Sequence, residues 1–156
     1  MQMWELVARE RIRDTLALYN WSGDAGRVEE LTQSFSPDGE LEVRGMATAV
    51  GRAAIAEFLG GVASPPAGVQ ANAVTNSGAK RIVRHTLTNV RFTELTPERA
   101  QVSSYFTVFT EIGLDHYGRY RDVFVPVGDA WLIAHRFVST DWGAPNSTMA
   151  PPSSVS

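Results

Sequence analysis

The sequence contains no cysteine among its 156 residues. Disulfide bridges, zinc–thiolate sites and thiol nucleophiles are therefore excluded. Histidine is also scarce, and the three histidines do not have the spacing of metal ligands. Because the glycine-rich nucleotide signatures and the Gly-x-Ser-x-Gly motif are missing as well, we expect neither a metal nor an organic cofactor.

Long apolar runs and an excess of positive charge are both missing. No stretch approaches the ~20 apolar residues that cross a bilayer, and the first five residues form neither a basic nor an apolar segment. The net charge of −3 provides no basic surface for nucleic acid. We therefore expect a cytoplasmic protein that binds neither membranes nor nucleic acid.

The length and the 44% apolar content suit one globular domain with its own core. We assign residues 1–142 to this domain. Residues 143–156 are rich in proline, serine and threonine, which predicts a disordered tail.

The predicted helices precede the predicted strands. Apolar residues three and four apart predict helices over 4–20, 25–35 and 51–59, with a turn at Pro37–Gly39 and a short strand after it. Residues 60–79 are rich in glycine, alanine and serine and are expected to form a lid-like loop. Residues dense in β-branched and aromatic side chains predict four strands, over 82–94, 100–112, 118–127 and 130–141.

This order predicts an α+β fold, in which three N-terminal helices pack on a strongly curved, mainly antiparallel sheet. Such a sheet forms a cone whose interior suits an apolar ligand. Strand alternation places Gly118, Tyr120, Asp122 and Phe124 on one face. In segment 100–110, either the face with Phe106 or the face with Tyr105 could line the pocket.

Several local motifs carry a family resemblance. They are Tyr19…Asp24 with Phe35–Gly39, Gly51–Ile55, Arg84-His85…Asn89-Val90, Gly118–Asp122 and Trp131–Arg136. In this order, over about residues 5–142, they resemble the SnoaL-like polyketide cyclases and scytalone dehydratase of the nuclear transport factor 2-like superfamily. The resemblance implies the cone fold and a homodimer or other homo-oligomer.

The resemblance also implies catalytic roles for Tyr19, Asp24 and His85. A carboxylate that orients a neutral imidazole makes a general base usable near neutral pH, and the tyrosine would hold a substrate oxygen. The alternative is that Asp24 only caps the second helix. Tyr19 and Asp24 lie about 140° apart on an unbroken helix, so facing one pocket requires the helix to end near Gly23.

The sequence departs from the family at Arg27, where relatives often have an acidic residue. It also lacks an evident second pocket histidine, because Phe106 occupies the strand where scytalone dehydratase has one. We expect His116 to lie exposed in a loop and His135 to be packed or interfacial. A buried Asp122 would need a cation, for which Arg121 and Arg136 are candidates.

The expected function is that of a cofactor-independent lyase or isomerase, either a dehydratase, a double-bond isomerase or a cyclase. Its partner would be a hydrophobic, cyclic, polyketide- or steroid-like small molecule of secondary metabolism. An epoxide-type hydrolase and a non-catalytic binding module remain alternatives. The residues expected to contact substrate are Trp21, Asn89, Tyr105, Phe106, Tyr120, Asp122 and Phe124.

Overall fold

The computed structural model describes residues 1–60 and 82–150. The helices are α1 (Met3–Asp24), α2 (Val28–Thr32) and α3 (Arg52–Gly60). The strands are β1 (Phe35–Val43), β2 (Thr48–Val50), β3 (Arg84–Leu95), β4 (Ala100–Thr110), β5 (Gly113–Val127) and β6 (Ala130–Gly143). The predicted α+β class, with helices first and long strands afterwards, is confirmed.

One six-stranded sheet has the order β2-β1-β6-β5-β4-β3. All neighbours are antiparallel except β1 and β6, which run parallel. Register shifts interrupt the β3–β4, β4–β5 and β5–β6 ladders. Such bulges bend strands and increase their twist, which curves the sheet around its inner face.

Helix α1 packs on this inner face because its buried residues recur three and four positions apart. Ala8, Ile12, Leu16 and Tyr19 form the apolar stripe. Thr15 donates a hydrogen bond of 2.6 Å to the Trp131 carbonyl, which ties the helix to β6. The helix therefore closes one side of the cone and holds its last turn over the sheet.

The predicted turn at Pro37–Gly39 is wrong, because these residues belong to β1. The register between β1 and β6 shifts between Phe35 and Glu40. A Cβ on Gly39 would lie 2.7 Å from the Ile133 carbonyl oxygen. The glycine is therefore explained by a close approach of two strands rather than by a turn.

The chain after β6 packs on the domain as far as Ala150. Met149 and Ala150 are buried, and the Ala144 N–H donates a 2.7 Å hydrogen bond to the Asp115 carbonyl. The prediction of disorder from residue 143 therefore fails for 144–150. Residues 151–156, and the lid predicted for 60–79 beyond Gly60, lie outside the described residues. Within the described ranges, no helix is long and apolar enough to cross a membrane.

Candidate active site

The interior of the cone contains a cavity of about 70 Å³ between α1, α3 and the inner face of the sheet. Its walls are mostly apolar, as predicted, and include Leu41, Phe58 and Met149. The polar side chains that line it are Tyr19, Asn20, His85, His116, Tyr120 and Thr140. The described lining thus combines hydrophobic walls with a few groups that can exchange protons.

The predicted contact between Asp24 and His85 is present. Asp24 Oδ1 lies 2.6 Å from His85 Nδ1, and Asp24 Oδ2 accepts a 2.9 Å hydrogen bond from the His85 backbone N–H. Asp24 does not cap the second helix, because the N-cap of α2 is Arg27, which makes no side-chain capping bond. The carboxylate therefore fixes both the imidazole ring and the start of β3.

Tyr19 and Asp24 face different spaces, because α1 runs unbroken through Gly23 and ends only at Asp24. Tyr19 lines the inner cavity, whereas Asp24 lines an open groove outside it. His85 lines both spaces. The imidazole therefore connects the carboxylate on the outer side with the cavity on the inner side.

A second Asp–His pair faces the same cavity. His116 Nδ1 lies 2.6 Å from Asp115 Oδ2, and both residues are buried. The expectation that His116 is exposed in a loop is wrong, because β5 already begins at Gly113. The Phe106 ring packs edge-on against the imidazole, at a centroid distance of 6.0 Å.

Hydrogen bonds hold Asp115 in its ionised form. Burial alone would raise its pKa, but bonds from Ser147, His116 and Thr110 outweigh burial and lower it. The Ser147 hydroxyl donates at 2.7 Å and the Thr110 hydroxyl at 3.0 Å. The stretch after β6 thus supplies part of the support for the second pair.

Burial lowers the pKa of His116 below its ordinary value of 6.5; Asp115 opposes this change and His85 adds to it. Near neutral pH the ring is therefore neutral. In both pairs the carboxylate engages Nδ1, so Nδ1 carries the proton and Nε2 is the basic nitrogen. The two imidazoles are close enough to influence each other electrostatically.

A buried ion pair forms the floor beside the cavity. The Arg136 guanidinium lies over both the Tyr19 and the Tyr120 ring, 4.1 and 4.0 Å from their centroids, and the two rings contact each other edge-on at 6.1 Å. It donates two hydrogen bonds of 2.8 Å to Asp122. The predicted ion pair of Asp122 is therefore confirmed, with Arg136 as the partner, and its carboxylate is not free to bind substrate.

The two tyrosines are hydrogen-bond donors at neutral pH. Burial raises the pKa of Tyr19 despite the nearby Arg136, and burial raises the pKa of Tyr120 well above 10.0. Both phenols therefore keep their protons. A buried phenol needs a hydrogen-bond partner, and a substrate oxygen would suit either one.

The predicted substrate contacts divide into three groups. Phe106 and Tyr120 line the cavity, so the inner face of β4 is the one with Phe106. Trp21 is 80% exposed and lines the outer groove. The other three line neither space: Asn89 is exposed at a positive φ, Tyr105 lies on the outer face, and Phe124 is buried in the core.

Sequence reasoning missed His116, Asp115 and Asn20. Continuing the alternation of Tyr120 and Gly118 back by two residues would have placed His116 on the inner face. Asn20 is buried and lines both cavity and groove, and its Oδ1 has no hydrogen-bond partner in the described chain. Within residues 1–60 and 82–150, no group of three histidine or carboxylate side chains could hold a metal.

The sequence matches the SnoaL-like domain over residues 4–137, so the chain belongs to that family. No curated protein matches it. An ntf2-like protein with a cystatin-like fold from Novosphingobium aromaticivorans is 27% identical, with a TM-score of 0.72 over 92% of this chain and 88% of that one. A candidate scytalone dehydratase from the same organism is 22% identical, with a TM-score of 0.74 over 97% of each chain.

ActVI-ORFA from Streptomyces coelicolor is 18% identical, with a TM-score of 0.68 over 85% of this chain and 96% of that one. At identities under 25%, these similarities show the fold alone. The family match thus identifies a SnoaL-like domain, and the solved structures share its fold.

Proposed function

We propose that this protein is a cofactor-independent lyase or isomerase that moves protons on a hydrophobic cyclic substrate. The observation that carries the proposal is that His85 and His116, each paired with its own aspartate at 2.6 Å, line one mostly apolar cavity. Binding-only proteins need polar groups for orientation. Two oriented imidazoles in a hydrophobic site supply, in addition, both a proton acceptor and a proton donor.

Dehydration would use both rings. One neutral imidazole removes a proton from the carbon next to a carbonyl, and the electrons of that C–H bond form the new double bond. The other ring, protonated, gives its proton to the departing hydroxyl group, which leaves as water. In a double-bond shift, a single ring could return the proton to a different carbon.

The tyrosines would support the carbonyl in either reaction. Tyr19 lines the cavity and is held in place by Arg136 stacked on its ring. A phenol that donates to the carbonyl oxygen stabilises the negative charge that develops there. Tyr120 also lines the cavity and contacts the same guanidinium through its ring.

The hydrolase alternative receives no support from the described cavity. Activating water with a carboxylate requires a carboxylate in the site, and none of the described lining residues is acidic. Asp24 is bound to His85, and Asp115 to His116, Ser147 and Thr110. Both aspartates are thus already engaged as acceptors.

The test is proton exchange on ketone probes in deuterium oxide. Bicyclic aromatic β-hydroxy ketones and β,γ-unsaturated ketones, first screened for binding by thermal shift, should take up deuterium next to the carbonyl. Productive reaction should also give the ultraviolet absorbance of a conjugated enone. Tight binding of these probes without exchange would instead establish a binding module, and selective opening of an aryl epoxide would establish a hydrolase.

His116 should make the protein less stable as pH falls. Its pKa is lowered from 6.5 in the folded state by burial, so the unfolded chain takes up a proton first. The free energy of unfolding should therefore decrease from pH 6.5 down to the folded pKa and then level off. Urea unfolding from pH 8 to pH 5 measures this decline.

The matched variants are His116→Asn and His135→Asn. The decline should be smaller in His116→Asn because the titrating group is gone. It should persist in His135→Asn, since His135 lies outside the cavity, 2.9 Å from Glu42. An unchanged decline in His116→Asn would show that another group causes it.

A further inference from the structure

An open groove of about 870 Å³ lies outside the cavity, between the end of α1 and the start of β3. Asn20 and His85 line both spaces, so the groove adjoins the cavity at these two side chains. An apolar cavity of 150 Å³ is known to hold benzene, whereas the inner cavity measures about 70 Å³. A cyclic substrate that reaches the imidazoles must therefore extend into the groove.

The groove carries a local excess of positive charge. Arg13, Arg27 and Arg84 line it and are exposed. The single acidic residue in its described lining is Asp24, and both oxygens of Asp24 are occupied by His85. This local charge contrasts with the net charge of −3 for the whole chain.

The known interactions of these arginines leave them able to bind an anion. The ion pair of Arg27 with Glu30, at 3.5 Å, is an exposed pair one helical turn apart, and such pairs contribute little. Arg84 donates to the Val83 carbonyl through one nitrogen. Arg13 stands 5.5 Å from the Phe92 ring, which restricts the side chain without neutralising it.

Exposed apolar groups lie beside the arginines. Trp21 is 80% exposed and Ile82 is 61% exposed, and both line the groove. At the junction with the cavity, the Asn20 Oδ1 atom is buried without a partner among the described residues, and a substrate hydroxyl could donate to it. The groove therefore combines apolar contact, one hydrogen-bond acceptor and guanidinium groups.

We propose that the groove binds an anionic substituent, a carboxylate or phosphate, of a substrate whose reacting atoms reach the imidazoles where the groove meets the cavity. Guanidinium groups match the geometry of both anions through paired N–H donors. The inference rests on the proposed function only in calling the bound molecule a substrate. Anion binding itself can be measured without turnover.

The probes are 1-anilinonaphthalene-8-sulfonate and N-phenyl-1-naphthylamine, which share a ring system and differ in the sulfonate. Fluorescence titration should show that the triple variant Arg13→Gln/Arg27→Gln/Arg84→Gln binds the sulfonate on the order of 10-fold more weakly. Affinity for the neutral amine should stay within about twofold, because the apolar contacts remain. Added salt should weaken the binding of the sulfonate and leave the binding of the neutral amine unchanged.

The matched control is Arg11→Gln, an exposed arginine on α1 that does not line the groove. It should leave both affinities unchanged. Unchanged sulfonate binding in the triple variant, or equal losses for the two probes at an unaltered melting temperature, would overturn the proposal. If benzoate displaces the bound sulfonate probe at a lower concentration than phenyl phosphate does, a carboxylate is the preferred anion. The reverse order would identify a phosphate as the preferred anion.

The two proposals can fail separately. If the arginine effect is found but no ketone exchanges protons, the anion site stands and the proposed reaction falls. If exchange is found while the triple variant binds the sulfonate normally, the reaction stands and the anion site falls.

Discussion

Replacing His85 by alanine, or Asp24 by asparagine, should lower turnover on a reactive ketone by on the order of 10²-fold or more. His85→Ala removes one proton carrier. Asp24→Asn keeps the shape but leaves a single acceptor oxygen, while His85 offers both its backbone N–H and its ring Nδ1–H. The amide can keep both contacts only by donating to Nδ1, which moves the ring proton to Nε2 and removes the basic nitrogen. In either case the ring loses its negative partner.

The double variant Asp24→Asn/His85→Ala should be scarcely slower than His85→Ala alone, because residues that act as a unit are not additive. His116→Ala should cause a loss of similar size if elimination needs an acid and a base. His135→Ala is the control, since this histidine lies outside the cavity and pairs with Glu42. Single-turnover rates and melting temperatures would be measured together.

Two results would contradict this account. Additive losses for Asp24 and His85 would mean that the carboxylate acts independently of the imidazole. A loss of activity that follows a lower melting temperature would mean that the pair is structural. A normal rate in His116→Ala would limit the chemistry to one ring and favour a double-bond shift over dehydration.

The α+β fold could be predicted from the sequence, because its helices and strands depend on local patterns. The apolar spacing from Ala8 to Tyr19 reflects a helix with one buried side. The stretch around His85 predicts a strand because it is rich in β-branched residues and alternates between polar and apolar side chains. Pairing between Asp24 and His85 itself came from the family resemblance, since the two residues are far apart in sequence.

The second pair was missed because two glycines surround it. Gly113 and Gly118 suggested a loop, yet both belong to β5. A Cβ on Gly118 would meet the Ser139 carbonyl oxygen at 2.0 Å, so this glycine permits close packing of neighbouring strands. A glycine required by tertiary contact looks the same in sequence as one required by a turn.

Bulges limited the prediction of which side chains face inward. Simple alternation would place His135 on the same face as Ile133. The β5–β6 register shifts between Val123 and Phe124, so Ile133 and Arg136 both point into the core. Extra residues at bulges follow from sheet curvature, which a local pattern does not encode.

The largest effect on stability should come from the ion pair between Asp122 and Arg136. Asp122→Asn leaves the guanidinium buried without its carboxylate, and both side chains are fully buried in the native protein. Removing one partner of a buried pair typically costs about 3–5 kcal/mol. That is a large part of the roughly 5–15 kcal/mol that stabilises a domain.

Glu94→Gln is the control. Glu94 accepts hydrogen bonds from Arg99, but these side chains are 37% and 42% exposed. An exposed pair is worth about 0–1 kcal/mol, so this change should have a small effect. Urea unfolding at one pH would compare the free energies of unfolding of both variants with the wild type.

The double variant Asp122→Leu/Arg136→Met separates the cost of an unpaired charge from the loss of packing. It buries no charge, and apolar replacement of a buried pair is often neutral or stabilising. Methionine can also fill much of the space beside the Tyr19 and Tyr120 rings, although the cation–π contacts are lost. The double variant should therefore be markedly more stable than Asp122→Asn. A double variant that is as unstable as Asp122→Asn would show that the fold needs the hydrogen bonds of this pair and not only its neutrality.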